Sequence, residues 1–195
     1  LHVAVVILAP ADVVLQFGVV DLVHRHFAAV LAPELGHTFD LAQRAGELLQ
    51  THGLTVAVAE SCTGGLVGDM ITDVPGSSAY FLGGIQSYAD AVKRDVLGVQ
   101  AETLASQGAV SAACAQEMAR GARRLIDADI ALSVTGIAGP GGGSDGKPMG
   151  LTFLHLAAAN ADLGRRYVWT GDRRSNKLSS AAAALQLLID YLEAL

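Results

Sequence analysis

Two short, mostly apolar runs, LTVAVA (54–59) and DIALSVTG (129–136), constrain this chain more than any other feature. A run this short and rich in apolar residues suits a strand buried on both faces rather than an amphipathic helix. A sheet built on such strands must be covered by helices on both sides, so the chain is expected to fold as a three-layer α/β/α domain. The segments between them agree. Asp40 with Gln43 reads as a helix start and capping box for a helix to about Gln50, closed by Gly53. A helix of small residues is expected over 63–72, stopped by VPGSS, and AYFLGGIQSY (79–88) reads as a glycine-containing strand. Helices are expected at 89–98, 101–107 and 112–126, the last capped by Ser111. GLTFLHLAAA (150–159) and RRYVWTG (165–171) read as a strand pair joined by a polar turn, and Asp172 as the cap of a final helix over 173–194. A closing strand pair makes the sheet mixed, though mostly parallel. No internal repeat is visible, so one domain is expected.

Composition narrows the function classes. With 51% hydrophobic and 16% charged residues the chain has ample apolar surface to offset ordering entropy, and with 5% aromatics its core must be aliphatic. Net charge is −6, and the basic doublets Arg123–Arg124, Arg165–Arg166 and Arg173–Arg174 read as solvated faces, so nucleic acid is not an expected partner. Cys62 and Cys114 have no paired spacing, which argues against a disulfide scaffold or a zinc site and for a reducing cytoplasm. Residues 1–34 form an extension with no assigned role before a unit over 35–195. Its opening LHVAVVILAPADVVLQFGVV lacks a basic start and is broken by Pro10 and Asp12, so neither a signal peptide nor a membrane span is expected. Five histidines fall early (His2, His24, His26, His37, His52), but His24 and His26 would face apart on a helix and no carboxylate or thiolate cluster joins them. No metal and no cofactor are expected.

Three segments can carry chemistry. In AVAESCTGG (57–65) a buried strand runs into a glycine-containing helix start, where free backbone N–H groups can stabilise an oxyanion. Ser61 and Cys62 are both candidate nucleophiles there, Thr63 is a candidate helix cap, and the plain alternative is that Ser61 and Thr63 only cap the helix. In SYADAVK (87–93) Lys93 falls in the first turn after a strand. A cation there opposes the helix dipole, which favours the neutral amine, the form able to act as a base. The alternative is a surface lysine paired with Asp90 or Asp95. VTGIAGPGGGSDGKP (134–148) has P-loop-like glycines, but Pro148 stands where a Mg²⁺-binding hydroxyl is needed and a strand follows where a helix should. It reads instead as a glycine lid. Its amides can meet a phosphate or carboxylate, and Thr135 ends its strand beside the one preceding Ser61.

AESCTGGL, TDVPGSSAYFLGG, the Tyr88–Lys93 spacing, LGV–AETL–GAVS (97–111) and VTGIAGPGGG–KP–G (134–150) resemble the C-terminal domain of the CinA family, in the same order over about residues 35–195. The resemblance implies a metal-free amidohydrolase that deamidates nicotinamide mononucleotide to nicotinate mononucleotide and ammonia, in pyridine-nucleotide recycling. It implies Ser61 as nucleophile, Lys93 as base, Tyr88 and Thr135 as residues orienting lysine or substrate, and Cys62 as a neighbour. Substrate contacts are then expected at Cys62, Thr63, Gly64, Gly65, Gly136, Gly139, Gly141 and Gly142, with the 139–143 loop on the phosphate. It also implies a stand-alone form, because 34 residues cannot hold the additional N-terminal domain of many relatives. Between Tyr88 and Lys93 this chain reads ADAV, where more polar residues are common in the family. A homo-oligomer, without membrane or nucleic-acid partners, is expected. Two rivals stand beside this reading: a thiol amidase using Cys62, and a nucleotide-binding regulatory module without catalysis.

Overall fold

The structure is a computed structural model that describes residues 39–195. The expectations for residues 1–34, the 34/35 boundary and His37 lie outside the described residues. A helix over 39–52 (α1) opens the described part and is ended by Gly53 at φ +65°. It already contains Phe39, so Asp40 lies inside the helix and does not cap it, and Gln43 donates forward to Glu47 (3.1 Å). Then follow β1 (Val56–Glu60), α2 (Leu66–Thr72), a 3₁₀ turn (Ser77–Ala79), β2 (Phe81–Gln86), α3 (Asp90–Asp95), α4 (Ala101–Ser106) and α5 (Ala112–Ile126). β3 (Ile130–Gly136), β4 (Leu151–Ala158), β5 (Asp162–Val168) and α6 (Arg173–Leu192) complete it. Two expected caps are present. Ser111 Oγ accepts from the Cys114 N–H at 3.2 Å, and Asp172 Oδ1 accepts from the Ser175 N–H at 2.8 Å.

Among the described residues the strands form one sheet in the order β2-β1-β3-β4-β5. β1 is parallel to both β2 and β3, while β4 is antiparallel to β3 and to β5. Four strands therefore share one direction and β4 alone is reversed, which is the mixed, mostly parallel sheet the sequence implies. β5 lies earlier than the expected 165–171, because it pairs back along β4 from Ala157↔Asp162.

The period-2 alternation of the central strands builds the three layers. Val56, Val58, Ile130, Leu132 and Val134 face α1, α2 and α6 through Leu49, Val67, Leu185 and Leu188. Ala57, Ala59 and Ala131 face Met118, Cys114 and Ala122 of α5 on the other side. Alanine on that face lets α5 approach closely, and Gly121 leaves no room for more: a Cβ there would stand 1.9 Å from the Leu97 carbonyl oxygen.

The chain leaves β1 for β2 on one side and returns for β3 on the other. The carboxyl end of β1 is thus a switch point, where an α/β sheet opens a crevice. Ser61 is the next residue.

Candidate active site

Ser61 is held by the sheet it terminates. Its N–H donates to the Val134 carbonyl at 2.9 Å, which extends the β1–β3 ladder by one residue. On the other side the Ser87 N–H donates to the Glu60 carbonyl at 2.8 Å, so the ends of β1, β2 and β3 are tied together. Both serines are buried.

Lys93 is 1% exposed, and this burial decides against a surface lysine. Its Nζ donates to the carbonyls of Ser87 (2.7 Å) and Tyr88 (3.2 Å) and lies 3.2 Å from Ser61 Oγ. Asp90 Oδ1 stands farther off at 3.8 Å on a mostly exposed side chain. Lys93 is the fourth of six residues in α3, near both ends of a short helix, so its fixed contacts matter more than helix polarity. ADAV serves this placement: Ala89 takes the extended N-cap conformation and its carbonyl accepts the Lys93 N–H at 3.2 Å, turning the lysine side chain inward.

The turn between Ser61 and α2 differs from expectation in two respects. α2 begins at Leu66, not at 63, because Gly64 and Gly65 adopt φ of +67° and +99°. Its amides are covered by Glu60, a buried carboxylate that sequence reasoning passed over. Glu60 accepts from the N–H groups of Gly65 (3.0 Å), Val67 (3.1 Å) and Gly68 (2.9 Å). Thr63 is therefore not the cap, and its buried Oγ1 has no partner among the described residues. The Gly65 amide is taken by Glu60 and the Gly64 amide by the Ser61 carbonyl (3.2 Å), so neither is free for an oxyanion. Among the described residues no carbonyl and no other residue's side chain accepts the Cys62 and Thr63 amides of this turn, and the Cys62 amide faces only its own thiol. An acidic residue directly before a glycine turn and a helix was the available signal for Glu60.

A cavity of about 280 Å³ opens over Ser61. Ser61, Cys62, Tyr88, Lys93 and Thr135 line it, as do Gly136, Gly139, Gly141 and Gly142. Thr63, Gly64 and Gly65 do not. Thr135 Oγ1 donates to the Ala109 carbonyl at 2.8 Å, joining β3 to the loop before α5. Tyr88 is 66% exposed at the rim, and what it offers inward is its backbone carbonyl.

Arg173, exposed like Arg174 beside it as the reading of a solvated doublet expects, also lines the cavity. It donates to the Gly139 carbonyl (2.7 Å) and to the Tyr88 hydroxyl (3.3 Å), bridging the glycine loop and the tyrosine. Asn176 ties the same loop to the start of α6, donating to the Ala138 carbonyl (3.1 Å) and accepting the Gly171 N–H (3.0 Å). The Asp172 cap places Arg173 first in α6, and that was the sequence signal available.

Burial pushes the Cys62 thiol up to about 11, with Glu60 adding to the rise. Both cysteines are free. A larger cavity, about 800 Å³, lies at the opposite end of the sheet between α5 and the β4–β5 turn, and it holds none of the expected site residues. Among the described residues no helix is long and apolar enough to cross a membrane.

A family model described as the CinA C-terminal domain matches residues 38–192. A CinA-like protein of Geobacter sulfurreducens is 46% identical over 171 residues, 88% of this chain and 41% of its own length. Among solved structures, the competence/damage inducible protein CihA from Agrobacterium tumefaciens is 42% identical with a TM-score of 0.78, covering 79% of this chain and 94% of that one. A CinA superfamily protein from Klebsiella pneumoniae gives 35% identity and 0.78, covering 81% and 99%. The chain spans between 36% and 43% of the length of the curated relatives it matches.

Proposed function

Because this chain belongs to the CinA C-terminal domain family, we propose that it is a serine amidohydrolase deamidating nicotinamide mononucleotide to nicotinate mononucleotide and ammonia. The observation that carries the reading is the contact between Lys93 Nζ and Ser61 Oγ at 3.2 Å in a buried site. The Ser87 and Tyr88 carbonyls take two N–H bonds of the amine. In its neutral form the remaining lone pair then faces the serine hydroxyl, which is the arrangement a general base needs.

Ser61 Oγ attacks the carboxamide carbon as its proton passes to Lys93 Nζ. The oxygen that gains charge is met by the Cys62 and Thr63 amides, the two left free in the turn. Lys93 returns the proton to the departing nitrogen, ammonia leaves, and water attacking the acyl-serine by the same proton route regenerates Ser61. Thr135 holds the 109–110 wall of the cavity, and Arg173 and Tyr88 close its rim.

The thiol alternative is weakened by the Cys62 thiol itself, which at about 11 is protonated at neutral pH and a poor nucleophile. The test is ammonia release from nicotinamide mononucleotide without added metal, with Ser61→Ala and Cys62→Ala beside the wild type. Turnover lost in Ser61→Ala and kept in Cys62→Ala is the expected result. Saturable binding with no ammonia from the wild type leaves a nucleotide-binding module and overturns the proposal.

A further inference from the structure

We infer that Arg174 and Lys177, together with Arg173, form an anion subsite that takes the phosphate of a phosphate-monoester substrate whose amide end reaches Ser61. The inference rests on the amidase reading only for the identity of that amide end. A second cavity, about 390 Å³, is lined by Arg173, Arg174 and Lys177 with Leu66 and Leu178, and no carboxylate lines it. Arg173 belongs to both this cavity and the one over Ser61, so the two are neighbours across a single side chain. Lys177 Nζ lies against the Ser61 turn, 3.6 Å from where a Cβ on Gly64 would stand.

These cations are placed against their own structural interest. All three fall in the first five residues of α6, where the helix field repels positive charge, and no acid occupies that first turn. The adjacent carboxylate, Asp172, is engaged as the cap. Among the described residues Arg174 and Lys177 have neither an ion pair nor a side-chain hydrogen bond. In a chain of net charge −6, three clustered cations with only the capping Asp172 beside Arg174 to offset them match a dianion, and guanidinium with ammonium is a phosphate-binding pair. The 139–143 loop is the poorer phosphate site. It presents the Gly139 carbonyl to Arg173, and the nearby Lys147 donates instead to the Gln107 carbonyl.

The probes are nicotinamide mononucleotide and its riboside, which differ only by the phosphate, titrated calorimetrically against Ser61→Ala, alone and with Arg174→Gln and Lys177→Gln added. Thermal melts check that each variant is folded. The expected result is that the mononucleotide binds on the order of tenfold or more tighter than the riboside, and that the two substitutions remove this preference while riboside affinity holds. A preference that survives both substitutions, an equal loss for both probes, or no binding of the mononucleotide overturns the subsite. Ammonia assays on the wild type separate the two proposals. No ammonia release, with a phosphate preference that still depends on Arg174 and Lys177, sinks the amidase and keeps the subsite. Turnover with a preference indifferent to them does the reverse.

Discussion

Lys93 Nζ and Ser61 Oγ come from different elements, 32 residues apart in the chain, and meet at 3.2 Å inside the protein. No carboxylate hydrogen-bonds to either side chain, and the nearest to the amine, Asp90 Oδ1, stands 3.8 Å away. The Ser87 and Tyr88 carbonyls orient the amine without supplying charge. The pair therefore stands or falls on the lysine. Lys93→Met is expected to lower the proposed deamidation about a hundredfold to ten-thousandfold, the usual contribution of a positioned base. Lys93→Arg is expected to be as poor, since a guanidinium keeps its charge and cannot accept the serine proton. Steady-state ammonia release measures both, and a Lys93→Arg enzyme near wild-type rate would remove Lys93 from the base role.

Glu60 is expected to matter for both stability and rate. Its buried carboxylate covers three amides at the start of α2 and directly precedes Ser61. Glu60→Ala leaves those donors without an acceptor, and a loss of about 2 kcal/mol or more is expected from urea unfolding. Glu60→Gln retains an acceptor and should lose less. Activity should fall more than the folded fraction does, because the turn that presents Ser61 and the Cys62 and Thr63 amides loosens.

The pair at the centre of the site was legible because strand ends are legible: an apolar run that stops at Glu60 and another at Gly136 put Ser61 and Thr135 at one edge. Lys93 was legible by its spacing from Tyr88, though for a different reason than burial between two carbonyls. What escaped is information that the third dimension supplies. A carboxylate at a strand end looks like any polar terminus until three amides of the next helix fold onto it. The Arg173–Arg174 doublet is exposed as the sequence suggests, yet one member bridges Gly139 and Tyr88 across the cavity. Thr63 has the composition of a helix cap, but two glycines in the left-handed region carry the chain past it before α2 begins.

Gly121 offers a test in which the usual sign reverses. In an exposed helix Gly→Ala stabilises by about 1 kcal/mol, because alanine has less backbone entropy to lose. Here the added methyl meets the Leu97 carbonyl oxygen at 1.9 Å and its carbon at 2.8 Å, backbone that cannot swing away. Gly121→Ala is expected to destabilise by about 1–3 kcal/mol as α5 is pushed off the Leu97 turn. A denaturation midpoint at or above wild type would contradict the close packing of α5 against the Leu97 turn.

The two cysteines give the pH dependence a definite direction. Burial pushes both thiols up from the ordinary 9.0 to about 11, so the folded protein keeps their protons over a range where the unfolded chain releases them. A group whose folded value is raised contributes stability that is complete below its unfolded value and is lost as pH climbs toward the folded one. Stability is therefore expected to fall between about pH 9 and pH 11, by at most about 2 kcal/mol for each thiol. Urea midpoints across that range check it, and Cys62→Ala with Cys114→Ala should flatten the slope. The same protonation makes native Cys62 slow to alkylate at neutral pH. Rapid modification of the folded protein by iodoacetamide, with any amidase activity lost in step, would instead revive the thiol as the nucleophile in place of the proposed Ser61.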